Sequence, residues 1–124
     1  MKNAYSLIEL IVVVTIIAVL TVVGVISYGG TNKKARDSRR MADLEKIRIA
    51  LEVYRQDVGS SYPPTADYST FLVTEYIQAL PKDPKTGLDY TYNRSAPYTY
   101  TIRATVEDAG SSNVPGWIYE ITNP

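Results

Sequence analysis

Glu9 is the residue that most needs a chemical explanation. It stands in SLIELIVVVTIIAVLTVVGVI, residues 6–26, where every other side chain is apolar, a hydroxyl or a glycine. A carboxylate inside a membrane-grade apolar run costs about 2.5 to 3.5 kcal/mol or more, and such an acid usually has a partner. The chemistry it offers is charge pairing rather than turnover. A second set of oxygens, on Glu107, Asp108, Ser111, Ser112 and Asn113, has the hardness that calcium takes. It lacks the EF-hand spacing, so a plain polar loop is the favoured reading and neither metal nor cofactor is expected. The third cluster is basic, Lys33, Lys34, Arg36, Arg39 and Arg40. It would either hold phosphates of a polyanion such as DNA without reading sequence or pair with Asp37, Asp43 and Glu45 of the same or a neighbouring chain. Ion pairing is favoured over DNA, because those acids offset much of the charge.

Enzymatic chemistry has little to work with. The 124 residues contain no His and no Cys, so Ser-His and Cys-His nucleophiles cannot be assembled. No G-x-S-x-G, P-loop, H-E-x-x-H or dinucleotide fingerprint occurs. Thirteen basic and thirteen acidic side chains cancel to a formal charge of zero, which argues against a dedicated nucleic-acid binder. The lack of cysteine leaves the redox compartment open. Tyrosine is the unusual component, at 11 residues.

The elements that must position these groups follow from periodicity. The uncharged run from Leu10, with its polar continuation, reaches the ~20 residues that a spanning helix needs. It exceeds a signal-peptide h-region and no A-x-A site follows it. The basic cluster on its C-terminal side would, by charge bias alone, place the following domain in the cytoplasm. Beyond the span, Leu44, Ile47, Leu51, Tyr54 and Val58 recur at helical spacing and form a core stripe. Ala35, Ala42, Ile49 and Val53 form a thinner second stripe, either exposed aliphatics or a contact with another chain. The simplest reading is one helix from about Tyr5 to Val58, on the order of 80 Å long, with Gly24 and Gly29-Gly30 as points where it could bend.

After Gly59 the texture changes. GSSYPPT stops the helix, and Thr65 or Asp67 could cap a short helix over about 67–80. KDPKTG is turn chemistry. Alternating β formers then predict strands at about 90–93, 98–106 and 117–122. The fold class expected is α+β: a long N-terminal helix, apolar then amphipathic, packed on a small antiparallel sheet of about three strands with a short second helix.

The stretch Ala4-Tyr5-Ser6-Leu7-Ile8-Glu9-Leu10 and the apolar run after it resemble the N-terminus of type IV pilins and type II secretion pseudopilins. LEKIRIALEVYRQDVGSSYP and YIQALPKDPKTGLDYTY resemble the helix end and helix-to-sheet connection of the major pseudopilins. The chain departs from those families in four ways. Ala4 replaces the usual Gly, there is no mid-helix proline, no terminal cysteine pair, and no aspartate- and glycine-rich calcium loop after Glu107.

The resemblance implies a leader over residues 1–4, a membrane and filament-core helix half over 5–31, and a pilin-like domain over 32–124. It implies cleavage by a prepilin peptidase between Ala4 and Tyr5, and N-methylation of Tyr5. Glu9 would pair with the amine of a neighbour's Tyr5 and set subunit register. Inter-subunit contacts are expected at Ile49, Val53, Arg36, Arg39 and Arg40. The expected protein is a structural subunit, not an enzyme. Its precursor crosses the cytoplasmic membrane once, with the domain outside, and the assembly machinery builds identical subunits into a helical filament on the cell surface. A secretion or DNA-uptake pseudopilus is the alternative. A single-span anchor presenting a binding domain is the alternative of another class.

Overall fold

No proline interrupts residues 1–58, and the apolar stripe of the second half keeps a helical period. The backbone follows this pattern in one α-helix, α1, Leu7–Val58. The computed structural model describes residues 5–59, 61–73 and 75–123, with the side chains of 26 and 27 outside that description. Gly24, Gly29 and Gly30, the expected bending points, are all helical. Two units divide the chain, Met1–Lys33 and Lys34–Pro124.

In the second unit, α1 stops where expected. Gly59 takes the left-handed backbone (φ 65), and its N–H donates to Arg55 O at 3.0 Å, as a helix C-terminus requires. The second helix is shorter than the predicted 67–80: α2 is Tyr68–Leu72. Val73 turns to extended backbone, and Tyr76 and Ile77 both donate their N–H groups to Leu72 O. That irregular path delivers Tyr76, Ile77 and Leu80 to the core. So short a helix is marginal on propensity alone, and packing decides where it ends. Neither predicted cap acts as one. Asp67 stands at the N-cap without a side-chain bond, and Thr65 Oγ1 accepts from the Arg94 N–H at 2.8 Å instead.

The sheet is a three-stranded antiparallel meander of β1 (Thr91–Ala96), β2 (Thr99–Thr105) and β3 (Ile118–Thr122), in that order. β1 runs beyond the predicted 93 because a bulge between Arg94 and Ala96 lets pairing continue. β3 begins one residue late, since Trp117 has φ 60 and cannot join a ladder.

One hydrophobic cluster joins helix and sheet: Leu44, Ile47, Leu51 and Tyr54 of α1 meet Tyr92, Tyr100, Ile102 and Ala104 of the strands. The tyrosines carry much of it, and their hydroxyls find acceptors. Tyr62 donates to Glu52 Oε1 at 2.8 Å, Tyr90 to Asp43 Oδ2 at 3.1 Å and Tyr92 to Pro63 O at 2.8 Å. Each ring thus buries apolar area while its polar tip stays satisfied. Val58, assigned to the core stripe by spacing, is 48% exposed, one turn past the end of the core.

Truncation of a fully buried core side chain leaves a cavity, so Leu51→Ala should lower unfolding stability by about 2 to 5 kcal/mol. Ile49→Ser and Val53→Ser, on the exposed stripe, should stay within about 0.5 kcal/mol of the parent. Urea melts of the full chain in detergent, followed by Trp117 fluorescence, check both.

Candidate functional site

Within the first unit, residues 5–25 are all exposed, and α1 is long and apolar enough there to cross a membrane. Two threonine hydroxyls along it are satisfied by the helix itself. Thr15 Oγ1 donates to Ile11 O at 3.0 Å and to Val12 O at 2.8 Å, and Thr21 Oγ1 donates to Ile17 O at 2.7 Å. A hydroxyl satisfied by its own helix adds little cost in lipid. Glu9 lies in the first turn, where an acid complements the helix dipole, and no cation among the described residues pairs with it. It is therefore a bare charge among exposed apolar side chains. Tyr5 is 83% exposed and precedes the helix. Ala4, the predicted cleavage residue, lies outside the described residues.

Within the second unit, two arginines of the basic cluster are paired with acids of the same chain. Arg40 is 2% exposed and lies inside the subunit. Its Nη1 donates to Asp37 Oδ1 at 2.6 Å and to Glu107 Oε1 at 3.0 Å, and its Nε to Asp83 Oδ2 at 2.5 Å. Arg36 grips Glu107 through two parallel bonds, at 2.7 and 2.8 Å. Arg40 and Arg36 are thus both engaged by acids of their own chain. The reason is desolvation: a guanidinium this deep must be surrounded by carboxylates. Arg39 faces the other way, exposed and without an acid partner among the described residues. Ile49 and Val53 are 53% and 47% exposed.

Asp37 is the other half of the network. It is fully buried, and besides Arg40 it accepts the backbone N–H groups of Glu107 (2.9 Å) and Asp108 (2.8 Å). Asp83 heads the KDPKTG turn, accepting from the N–H of Lys85 and of Thr86, each at 2.9 Å, with Gly87 left-handed at φ 69. Three cations (Arg36, Arg40, Lys85) thus meet three acids (Asp37, Asp83, Glu107). The Arg40 guanidinium holds the Asp83 carboxyl well below the usual carboxylate range, and Arg36 does the same for Glu107. Arg36, Arg40, Asp37 and Glu107 stood out in the sequence, but Asp83 and Lys85 did not, and nothing local showed the assembly. The one local signal was the i,i+3 spacing of Asp37 and Arg40 on a helix, since Asp83 and Glu107 are distant in the chain.

Four of the five side chains considered for calcium are hydrogen-bonded within the chain. Glu107 serves the arginines, Asp108 accepts from the Gly110 N–H at 3.3 Å, and the Asn113 side chain accepts from the Glu120 N–H at 2.8 Å and donates to Glu120 O at 2.7 Å. Ser112 Oγ donates to Ile118 O at 2.7 Å. Among the described residues no cluster of acids is suited to a metal ion.

Two outcomes are expected of the network. Arg40→Met leaves buried Asp37 and half-buried Asp83 without an ion partner and should cost about 3 to 5 kcal/mol in urea unfolding, while Lys34→Met should change nothing. Because the folded-state values of Asp83 and Glu107 lie below their ordinary 3.8 and 4.5, their contribution is complete above about pH 5 and is lost as pH falls. Melting temperature should therefore be level from pH 7 to about 5 and decline below about 4.5, and in Glu107→Gln the decline should be shallower.

No family model matches the chain. The type II secretion system core protein G of Vibrio cholerae serotype O1 is 33% identical over 104 residues, covering 73% of this chain and 70% of that protein. With an apolar, exposed helical start bearing one acid, and an α+β domain whose helix packs on an antiparallel meander, the chain belongs to the pilin and pseudopilin family.

Proposed function

We propose that this chain is the structural subunit of a secretion-type pseudopilus, a short helical filament of identical subunits, rather than of an extended surface pilus. The observation that carries the choice is the likeness to a type II secretion system core protein. The precursor enters the cytoplasmic membrane by its apolar half, which is long enough to span it, with the globular unit on the outer side. A prepilin peptidase removes residues 1–4, and the new amine belongs to Tyr5, the position where family members are methylated. The assembly machinery then draws subunits out of the membrane.

Physical chemistry supports each step. A helix whose apolar residues 7–25 are exposed all round needs lipid or other apolar helices as its surroundings. Glu9, costly in lipid, becomes affordable beside a neighbour's Tyr5 amine, where both charges are paired in low dielectric. Glu9 then acts as a register device: one axial position satisfies it, and slipped positions leave it bare. Ile49 and Val53, solvent-facing on the isolated subunit, add apolar contact between subunits, and DNA is not a favoured ligand because Arg36 and Arg40 are held by acids.

Coexpression of the full chain with its membrane assembly system, followed by electron microscopy of sheared material and mass spectrometry of the N-terminus, tests the reading. Filaments whose subunits begin at Tyr5 are expected, and an intact Met1 in assembled filaments would count against it. Glu9→Val should insert into membranes at least as well as the parent, since an intramembrane charge is lost, yet give no filaments. If Glu9→Val polymerises normally, the register role is wrong. A membrane-embedded monomer with no filaments under any condition would favour a single-span anchor instead.

A further inference from the structure

The globular unit exposes five charged side chains that have no ion partner among the described residues, and they are sorted by sign. Lys34 and Arg39 lie at the start of its stretch of α1, whereas Asp57 lies at the end and Asp67 and Glu75 in the segment that follows. At the acidic end Asp57 and Glu75 both lie near Tyr76. Tyr76 donates its hydroxyl to Asp57 Oδ2 at 2.7 Å. That bond, with burial and the neighbouring Glu75 charge, pushes the phenol up to about 12.

These charges bracket one helix face. Ala35, Arg39, Ala42, Ile49, Val53 and Asp57 are all exposed, at spacings that keep them on the side of α1 opposite buried Leu44, Ile47, Leu51 and Tyr54. Arg39 and Asp57 are eighteen residues apart, which is about five turns and about 27 Å, so they project at the same angle from the axis. The same separation holds between Ala35 and Val53.

We infer that this face seats another copy of the chain, parallel to the first and displaced along the helix axis by about 27 Å, with Arg39 of one copy bonded to Asp57 of the other; this is a different neighbour from the one whose Tyr5 amine meets Glu9, four residues or about 6 Å along the axis. Under that displacement Ala35 of the one lies beside Val53 of the other, a small side chain facing a branched one, as close helix packing favours. The charge match is head-to-tail, and a repeated head-to-tail contact that does not close into a ring propagates as a filament. The inference rests on the proposed filament. Because all subunits insert the same end into one membrane, it requires the parallel arrangement rather than an antiparallel pair, which would also bring Arg39 to Asp57 but would bring Ile49 close to its own copy.

The absence of native cysteine makes cross-linking of the full chain decisive. Subunits carrying Arg39→Cys and Asp57→Cys are coexpressed, as are subunits carrying Ala35→Cys and Val53→Cys, then oxidised and resolved without reductant. Both mixed pairs should give disulfide dimers about tenfold above those from any one of these variants or Ile49→Cys alone, since only the mixed positions come within bonding distance. A strong Ile49→Cys homodimer without the 35–53 product would overturn the parallel arrangement. Filaments visible by microscopy without either mixed product would overturn the inference while leaving the filament reading intact. No filaments and no oligomer would overturn both. Charge reversal separates ion pairing from proximity. Arg39→Asp or Asp57→Arg alone should lower filament yield by about tenfold, and the two together should restore it. A double variant with unchanged melting temperature that fails to restore yield would refute the ion pair.

Discussion

The Arg40 guanidinium is buried at the start of the globular unit, and much of the rest of that unit is arranged around it. A cation at 2% exposure cannot be left to water, so one carboxylate comes from its own helix, one from the KDPKTG turn and one, Glu107, from the chain just after β2. These groups lie far apart in sequence. Satisfying Arg40 therefore ties the helix, the connection and the sheet at a single point. Asp37 completes the knot by accepting two backbone N–H groups that would otherwise be buried without partners. The same network decides which charges remain outside: once Arg36 and Arg40 are paired, Lys34 and Arg39 are what the surface presents.

A second constraint is size. A domain of about ninety residues with no disulfide has limited apolar area to bury, and this one fills its core largely with tyrosine. The rings interlock. Tyr62 meets Tyr100 edge-on at 4.5 Å, and Tyr68 stacks on Tyr92 at 4.6 Å. Six of the phenols, those of Tyr62, Tyr68, Tyr76, Tyr90, Tyr92 and Tyr100, bond a carboxylate or a carbonyl at the rim of the core, and the core gains directional contacts that aliphatic side chains could not supply.

Surface design points the same way as the family. Both edges of the sheet are occupied by the chain's own groups: Thr65 and Tyr68 bond the backbone of residues 94 and 90 beside β1, and Asn113 bonds Glu120 at the edge of β3. Edge pairing with another chain is thereby suppressed. In the proposed filament, association falls to the apolar first half of α1 and the exposed face of its second half.

Periodicity and composition were enough to read the long helix, its exposed and buried faces, its stop at Gly59, the antiparallel meander and the apolar half with its single acid. Each of these depends on local spacing or on the solvent a segment requires, and both are written along the chain. The end of α2, the late start of β3 and the ion network were not legible in that way. α2 stops because Tyr76 and Ile77 reach the core by an irregular path, and β3 starts late because Trp117 is left-handed. Arg36, Arg39 and Arg40 look alike as letters in a basic cluster. The helix turns Arg39 to solvent, while Asp83 and Glu107, supplied by the folded chain from more than forty residues away, draw Arg40 inward and engage Arg36. Which charge is buried depends on partners brought together by the tertiary structure, because the cost of desolvating an ion is offset only by groups that local sequence does not contain.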